Sequence, residues 1–445
     1  MSAVLLALDV RMDRFDIPAG TLVSYDDGSI DFAYSPDYLT GGQPISLAMP
    51  LSDEPVGDVR ARAFFDNLLP ESDRIQTIID HYALSRANIV EILSHIGADC
   101  PGAISCLPIG DPPIKVPGNL ETDYRPLEDG ELEDIAQRLA DRKPLASKDQ
   151  DPSPVAGVQS KIALTQLPDG RYALPISEQK VPTTHILKVP RRSEAADAIR
   201  EDAACGLAGA CGLVASHSRH VVIGDVDALL IERFDRVVDQ NVVYRLHQED
   251  FAQALGLPRL MKYERDGTEG RRFDAHGALS VLNRLAAPAK ARETFVLAAL
   301  FNLAIGNTDN HAKNHAVLYA PDGSAHLAPQ YDLLPIRLHN GYTHQLAFHL
   351  GGATHFDDMT SQNMNAFLAE FGLEGTRARR FVEDAVKPML ETIEANSAPL
   401  RSIGQRTFDD LIGRELTHLC ELLKVEVAIR ERDYFEPSGG GWAIS

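Results

Sequence analysis

The sequence lacks the features of a secreted, membrane-spanning or disulfide-bonded protein. Its five cysteines, at positions 100, 106, 205, 211 and 420, form no Cys-x-x-Cys pair, and an odd count argues against a disulfide framework. No apolar run reaches membrane-spanning length, because the longest is interrupted by Asn302. Residues 1–8 lack the charged leader and cleavage site of a signal peptide and predict a first strand. We therefore expect a cytoplasmic protein with reduced cysteines.

Basic charge is also scarce. The chain has 43 lysines and arginines against 64 acidic residues, and its formal net charge of −21 repels nucleic acid in general. Any association with DNA is expected through a basic partner or a local patch, for which Arg377, Arg379 and Arg380 are the candidates. The alternative is that these three arginines form an ordinary solvated helix face. A length of 445 residues allows two or three domains.

The most informative stretch is Gly306–Asn314, followed downstream by Asp332. The spacing from Asp309 to Asn314 matches the Asp-x-x-x-x-Asn step of a kinase catalytic loop. In such a loop the carboxylate accepts the proton of the attacking hydroxyl and the amide oxygen binds Mg²⁺. Asp332 is the candidate for the second metal ligand. The spacing alone occurs often by chance, so the prediction depends on its surroundings.

The surroundings of the motif predict a rigid, compact site. Residues 295–305 are apolar nearly all round, as expected for a buried helix that leads into a fixed loop. Residues 316–328 read as strand, turn and strand, with Pro-Asp-Gly at the centre. Folding of this hairpin would bring Asn314 and Asp332 together.

Two histidines near the motif, His311 and His315, have the spacing of a helical zinc pair. The sequence has no His-Glu-x-x-His pattern, and no third ligand lies nearby. We interpret His311 as a residue that braces the loop or lies beside the nucleotide, and His315 as structural.

A kinase also needs a loop that contacts the phosphates. Residues 155–160 lead into Lys161 and a predicted hairpin, and their small side chains would let backbone amides face an anion. Because Gly-x-Gly-x-x-Gly is absent, an ordinary hairpin stays the alternative. The candidate phosphate-contacting residues are Ala156, Gly157, Val158, Gln159, Ser160 and Lys161.

The nucleotide lysine is predicted at Lys188, inside the β-rich run 184–190. A charge there would be costly unless it met an anion. Lys161 is the second candidate for this role. The alternative is that Lys188 lies on the wet face of an edge strand, which Pro190 allows.

Two further segments complete the part of the site that is predicted to bind the nucleotide. A helix over about 194–212 carries Glu201 and Asp202, either of which is a candidate ion-pair partner of Lys188. Residues 228–236 predict a buried strand with a charged end, where an adenine would contact a hinge between two lobes. Hinge contacts use backbone groups, so the sequence indicates the place better than the chemistry.

These motifs together resemble the HipA serine/threonine kinase toxins of bacterial toxin–antitoxin systems. The matching segments follow the family's order between residues 64 and 332. They are Phe64–Pro70, Gly97–Ala103, Gly157–Gln159, Glu232–Arg236, Leu246–Phe251, Gly306–Asn314 and Tyr331-Asp332.

The resemblance implies an ATP- and Mg²⁺-dependent protein kinase. It assigns the proton acceptor to Asp309 and Mg²⁺ to Asn314 and Asp332. The implied nucleotide contacts are residues 156–161, Lys188, Glu232, Arg233, Phe234, His311, Asn314, Tyr331 and Asp332. The family's known type of substrate is glutamate-tRNA ligase, whose phosphorylation arrests translation and growth. The implied partner is a HipB-like DNA-binding antitoxin, through which the protein would reach operator DNA.

The sequence departs from the family pattern directly before Val-Ala-Gly, at Ser160 and at Asp202. Members often carry a serine directly before Val-Ala-Gly, and its autophosphorylation silences the enzyme, whereas Pro154 stands there in this chain. Ser153 and Ser160 are the nearest candidates for such modification. Asp202, three residues before Cys205, replaces the glutamate that is usual in the family.

The predicted fold class is α+β, with a two-lobed protein-kinase-like arrangement behind a small α+β N-terminal domain. The predicted divisions are residues 1–105 for that domain, 106–154 for a connector with one helix, 155–236 for the β-rich nucleotide lobe, 237–435 for the helical lobe and 436–445 for a flexible tail. Two other functions stay open: a small-molecule phosphotransferase on the same scaffold, and a catalytically silent co-repressor subunit.

Overall fold

A computed structural model describes residues 2–70, 72–145, 160–176 and 180–432. The chain forms two compact units, each assembled from separate segments. Unit 1 holds residues 1–195, 219–261 and 316–328, and unit 2 holds residues 196–218, 262–315 and 329–445. In the described ranges, no helix is long and apolar enough to cross a membrane.

The strands of the described residues are β1 (Val4–Met12), β2 (Gly20–Tyr25), β3 (Ile30–Tyr34), β4 (Ile104–Pro108), β5 (Gly118–Asn119), β6 (Tyr124–Pro126), β7 (Ser160–Gln166), β8 (Tyr172–Pro175), β9 (His185–Val189), β10 (Ser218–Ile223), β11 (Val226–Glu232), β12 (Arg236–Asp239), β13 (Val242–Arg245), β14 (Gln248–Asp250), β15 (Ala316–Tyr319), β16 (Ala325–Leu327), β17 (Gln345–Leu350) and β18 (Ala353–His355). They form five small sheets, with orders β3-β2-β1-β4, β10-β11-β9-β7-β8-β6, β12-β13-β5, β14-β15-β16 and β17-β18.

The α-helices are concentrated in the later part of the chain. Their bounds are α1 (Pro36–Leu39), α2 (Asp58–Asn67), α3 (Ser72–Tyr82), α4 (Ile89–Ile96), α5 (Asp129–Ala140), α6 (Ala196–Ala210), α7 (Phe251–Ala254), α8 (Ala275–Leu282), α9 (Pro288–Ala304), α10 (Ser361–Glu370), α11 (Gly375–Phe381), α12 (Lys387–Ser397), α13 (Pro399–Ser402) and α14 (Arg406–Leu423). The mixture of helices and small sheets confirms the predicted α+β class.

The first sheet is antiparallel and is covered on one face by helices. Strands β2 and β3 alternate buried and half-buried residues, as expected of a sheet with one face in a core. Phe32 from this face shares one buried cluster with Phe64 and Phe65 of α2 and Ile92 of α4, and its ring lies 5.7 Å from that of Phe65. The motif Phe64–Pro70 therefore contributes core side chains to this part of unit 1.

The six-stranded sheet of unit 1 places two lysines side by side. Lys161 of β7 pairs with Lys188 of β9, which in turn pairs with Leu229 of β11, so the three side chains share one face. The next residues along, including Ile162, Leu187 and Leu230, face the opposite side and form a core with α5. Because β9 lies inside the sheet and Lys188 is only 7% exposed, the edge-strand alternative for Lys188 is wrong.

Buried ion pairs of unit 1 involve the motifs Gly97–Ala103 and Glu232–Arg236. The ammonium of Lys115 lies 3.2 Å from Asp99 and donates to the carbonyl oxygens of Cys100 and Ile104 at 2.8 Å each. Asp235 accepts two hydrogen bonds from Arg233 at 3.0 Å. A charge that is fully buried needs such partners, so these motif residues serve the fold.

Glu249 is a buried carboxylate in the motif Leu246–Phe251. It accepts hydrogen bonds from the Ser46 hydroxyl at 2.6 Å, the Leu47 amide at 2.7 Å and the Tyr319 hydroxyl at 2.6 Å. Burial raises the pKa of Glu249 to about 7, although these hydrogen bonds act in the opposite direction. The residue thus ties the loop at 46–47 to strands β14 and β15.

The raised pKa of Glu249 predicts a pH-dependent stability. Below about pH 4.5 the carboxyl is protonated in both the native and the unfolded state. As pH rises toward 7 the unfolded state ionises first, so the free energy of unfolding falls by about 3 kcal/mol. The variant Glu249→Gln should lack this loss. The measurement is the free energy of unfolding from pH 4.5 to 7.5, with Glu383→Gln on an exposed side chain as the control. Parallel pH profiles of Glu249→Gln and the wild type would contradict the assignment.

Helix α9 of unit 2 is the support of the candidate site. It begins with a proline in its first turn, where the missing N–H costs nothing, and buries Phe295, Leu300 and Phe301. The buried helix predicted over 295–305 is confirmed. Its one polar core residue, Asn302, donates to the carbonyl oxygen of Ala298 at 2.8 Å.

Candidate active site

The loop after α9 is fixed by glycine and asparagine. Gly306 has φ of 72°, and a Cβ there would lie 2.5 Å from Leu411, so only glycine fits. The amide of Asn307 donates to the Asn302 side-chain oxygen at 2.8 Å, and its own side-chain oxygen accepts from the backbone N–H of Asp309 at 3.1 Å. The helix and the loop are therefore joined by side-chain hydrogen bonds.

Asp309 is held in a partly desolvated position. The hydroxyl of Tyr263 donates to its Oδ1 at 2.7 Å. Burial raises the pKa of Asp309, the negative charge of Asp332 acts in the same direction, and the hydrogen bond from Tyr263 opposes both. The side chain of Asn307, which accepts from the Asp309 N–H, also donates to the backbone carbonyl of Asp332 at 3.4 Å, so Asp309 and Asp332 lie in one neighbourhood.

Asn314 is oriented by its amide nitrogen. It ends a short 3₁₀ turn, Ala312–Asn314, and its Nδ2 donates to the backbone carbonyl of Asp309 at 2.9 Å. Since the nitrogen is the donor, the Oδ1 atom is the end of the amide that remains as an acceptor. This is the atom that a hard cation prefers.

The predicted hairpin between Asn314 and Asp332 is confirmed. Val317 pairs with Leu327 and Tyr319 with Ala325, and Gly323 in the turn has φ of 84°. Beyond the hairpin, the hydroxyl of Tyr331 donates to the carbonyl of Lys313 at 2.7 Å. The segments before and after the hairpin are thus joined directly beside the two candidate metal ligands.

Asp332 has a left-handed backbone conformation, with φ of 58°. This conformation is uncommon outside glycine but is tolerated by Asp and Asn, and it occurs often at functional sites. Two residues earlier, the backbone of Gln330 forms a parallel bridge. Its N–H donates to the carbonyl oxygen of Val214 and its carbonyl oxygen accepts from the N–H of Ser216, both at 2.8 Å. Asp332 therefore follows a fixed backbone.

The two histidines have different surroundings. Burial lowers the pKa of His311 to about 3, and its ring lies edge to face with Tyr263 at 5.1 Å. His315 lies 4.9 Å from the ring of Phe295 and 5.7 Å from that of Phe273, and burial lowers its pKa to about 4. Both rings are neutral near pH 7, and the aromatic packing of His315 fits a structural role.

Of the predicted nucleotide contacts, Ser160, Lys161, Lys188 and residues 232–234 lie in unit 1, whereas His311, Asn314, Tyr331 and Asp332 lie in unit 2. Ser160 begins β7 next to Lys161, and Glu232 ends β11 just before Arg233 and Phe234. The backbone N–H of Arg233 donates to Thr184 at 2.9 Å, and its guanidinium binds Asp235, so both groups are committed to the protein itself. The predicted positions Ser153, Ala156, Gly157, Val158 and Gln159 lie outside the described residues.

One contact of the site was not predicted from the sequence. Tyr263 precedes Asp309 by 46 residues, and neither its spacing nor its type marks it as a site residue. In the same segment, the carbonyl oxygen of Lys262 accepts from the N–H of Ala312 at 3.0 Å. The charged run Lys262–Asp266 is the only sequence signal, and charge runs are usually solvated surface.

Comparison with known proteins shows the family of this chain. The sequence matches the HipA-like C-terminal domain over residues 153–394 and the HipA N-terminal domain over residues 8–107. The chain belongs to the HipA family. It is 34% identical over 370 residues to Y4mE of Sinorhizobium fredii, a protein named as a kinase, with 82% of this chain and 86% of that protein covered.

Two further comparisons concern Shewanella oneidensis. The serine/threonine-protein kinase toxin HipA of that organism is 30% identical over 381 residues, which cover 82% of this chain and 84% of the toxin. A solved structure described as the HipA, HipB and operator DNA complex of its toxin–antitoxin system matches with a TM-score of 0.77 and 26% identity, and covers 94% of this chain and all of that chain. The HipA-type, kinase-like fold expected from the sequence is confirmed.

Proposed function

We propose that this HipA-family protein is an ATP- and Mg²⁺-dependent serine/threonine protein kinase that acts as the toxin of a toxin–antitoxin module. The observation that carries the proposal is that hydrogen bonds group Asp309, Asn314 and Asp332 in unit 2 on a rigid loop and a fixed backbone. The proposed target is a cytoplasmic translation component, with glutamate-tRNA ligase as the type suggested by the family.

The side chains present suit Mg²⁺. Asn314 presents Oδ1 because its nitrogen is used by the Asp309 carbonyl, and Asp332 adds a carboxylate. Magnesium prefers oxygen ligands and is commonly held by one or two carboxylates together with substrate phosphates. When bound, the ion would neutralise charge on the phosphates. In the described residues, no cluster of three or more His, Cys, Asp or Glu side chains offers a competing metal site.

The proposed mechanism assigns the proton to Asp309. The carboxylate accepts the proton of the substrate serine hydroxyl while the serine oxygen forms a bond to the γ-phosphorus and the bond from that phosphorus to ADP breaks. A partly desolvated carboxylate on a rigid loop serves this step because positioning supplies most of the catalysis in phosphoryl transfer. Asn314 would link the base and the metal, since its amide nitrogen contacts the Asp309 backbone and its oxygen would help to hold the ion.

Lys188 is proposed to contact the ATP phosphates, with Lys161 beside it on the same sheet face. Two neighbouring lysines concentrate positive charge there, as an anion site requires. Lys188→Met should raise the KM for ATP by about tenfold or more, the loss expected for one charge-assisted hydrogen bond. Initial rates against ATP concentration test this, with Lys290→Met on an exposed side chain as the control. An unchanged KM would remove Lys188 from the nucleotide site.

The proposed partners are a HipB-like antitoxin and, mainly through it, operator DNA. The structural relative was solved with both, and a chain with net charge −21 needs a basic partner to approach DNA. Arg377, Arg379 and Arg380 lie exposed on α11 and are proposed as a local DNA contact. Their contribution would appear as a shallower salt dependence of operator binding when all three are replaced.

The proposed reaction can be tested with γ-³²P-labelled ATP and a bacterial cell extract. Label in a discrete protein band that can be identified, on serine after hydrolysis, is the expected result. Label confined to small molecules would instead support a small-molecule phosphotransferase. A protein that transfers no label but binds its antitoxin and operator would be a co-repressor subunit.

A further inference from the structure

The segment Lys262–Arg265 lies against the loop Gly306–Asn314 through two hydrogen bonds, and a third contact lies within the segment itself. The Lys262 carbonyl accepts from the backbone of Ala312, and the Tyr263 hydroxyl donates to Asp309 Oδ1 at 2.7 Å. The guanidinium of Arg265 lies 3.9 Å from the centre of the Tyr263 ring. All of these groups belong to unit 2.

The Tyr263 ring is itself held from two sides. Arg265 covers the ring as a cation on an aromatic face, and His311 meets it edge to face at 5.1 Å. Burial and the neighbouring Asp309 carboxylate raise the pKa of Tyr263 far above its usual value, so the hydroxyl keeps its proton and remains the donor. The hydrogen bond to Asp309 is therefore made by a fixed and permanently protonated group.

A carboxylate presents two oxygens that exchange places by rotation about its last side-chain bond. A donor on Oδ1 at 2.7 Å opposes this rotation, and Oδ2 is the oxygen that takes no part in this hydrogen bond. Proton transfer from a substrate hydroxyl requires the accepting oxygen at hydrogen-bonding distance and in line. A fixed carboxylate thus spends more of its time in the reactive orientation.

We propose that Tyr263 is a positioning residue for the catalytic base: its hydroxyl holds Oδ1 of Asp309 so that Oδ2 receives the proton of the substrate. This inference rests on the proposed kinase function. Arg265 and His311 act on the same step indirectly, because they fix the tyrosine ring. Neither the Asp309 motif nor its spacing contains this residue.

The test is the variant Tyr263→Phe, which keeps the ring, its contact with Arg265 and its contact with His311. We expect kcat for protein labelling to fall about tenfold, because the base loses its orientation, while the KM for ATP stays within about twofold. Initial rates of ³²P incorporation into the labelled protein of a bacterial extract, over a range of ATP concentrations, give both constants. Tyr342→Phe, at a tyrosine that is 57% exposed, is the matched control.

The possible results distinguish a failure of the role assigned to Tyr263 from a failure of the proposed kinase function. If the wild type labels protein, Asp309→Asn does not, and Tyr263→Phe matches the wild type in kcat, then the role of Tyr263 is wrong and the kinase assignment stands. A Tyr263→Phe variant with higher kcat would also overturn the inference, since the hydrogen bond would then restrain the base from reacting. If the wild type labels no protein, both assignments fail.

Discussion

Asp309→Asn is expected to reduce phosphoryl transfer on the order of 10³-fold, within the range that a positioned general base contributes. Asparagine has the size of aspartate, and its oxygen can still accept the hydrogen bond from Tyr263. The fold and the loop should therefore be preserved while the proton acceptor is lost. The measurement is the rate of protein labelling at saturating ATP, together with growth after induction, which should no longer be arrested.

The control for Asp309→Asn is the same substitution at Asp384, an exposed carboxylate. That variant should label protein and arrest growth like the wild type. Growth arrest that persists in Asp309→Asn, with labelling abolished, would mean that toxicity comes from binding rather than catalysis. Labelling that persists would remove Asp309 from the role of base.

Asp332→Asn is expected to lower activity by about 100-fold or more at a fixed Mg²⁺ concentration, because a charged metal ligand becomes a neutral one. Asparagine is chosen because it tolerates the left-handed backbone at this position, where φ is 58°. A β-branched residue would add backbone strain, so a loss of activity could not be assigned to the lost metal ligand. Raising Mg²⁺ should recover part of the activity, and the rate as a function of Mg²⁺ measures this.

The matched control for Asp332→Asn is Asp322→Asn, in the exposed turn of the hairpin that precedes Asp332. It should leave the Mg²⁺ dependence unchanged. An Asp332→Asn variant whose maximal rate falls but whose Mg²⁺ dependence equals that of the wild type would contradict metal binding at this residue. The carboxylate would then act on Asp309 by charge alone.

Local patterns were sufficient to predict the elements around the site. The apolar run before the loop predicted α9, and Pro-Asp-Gly predicted the turn between β15 and β16, because both depend on residues that are neighbours in sequence. The same reasoning predicted β9 around Lys188. The roles of Asn314 and Asp332 came from spacing, and they remain proposals.

Contacts between distant segments were not predictable in this way. No local pattern couples Tyr263 to Asp309, or Gly306 to the side chain of Leu411, because each contact depends on tertiary packing. The sequence marked Asp99, Asp235 and Glu249 only as parts of motifs that resemble a family. In the structure, Asp99 and Asp235 are buried with a lysine or an arginine, and Glu249 accepts buried hydrogen bonds. Besides the predicted hairpin, the helical lobe predicted over residues 237–435 contains the strands β13, β14, β17 and β18, which are too short to give a clear sequence pattern.

The central claim is that Asp309, Asn314 and Asp332 form one magnesium-dependent phosphotransfer site. The most direct measurement is a crystal structure of the protein with Mg²⁺ and a non-hydrolysable ATP analogue. We predict an ion within about 2.1 Å of both Asn314 Oδ1 and an Asp332 carboxylate oxygen, with the Asp309 carboxylate directed at the space beside the γ-phosphate. An ion bound to the nucleotide without either residue, or an Asp309 carboxylate turned away from the γ-phosphate, would contradict the claim.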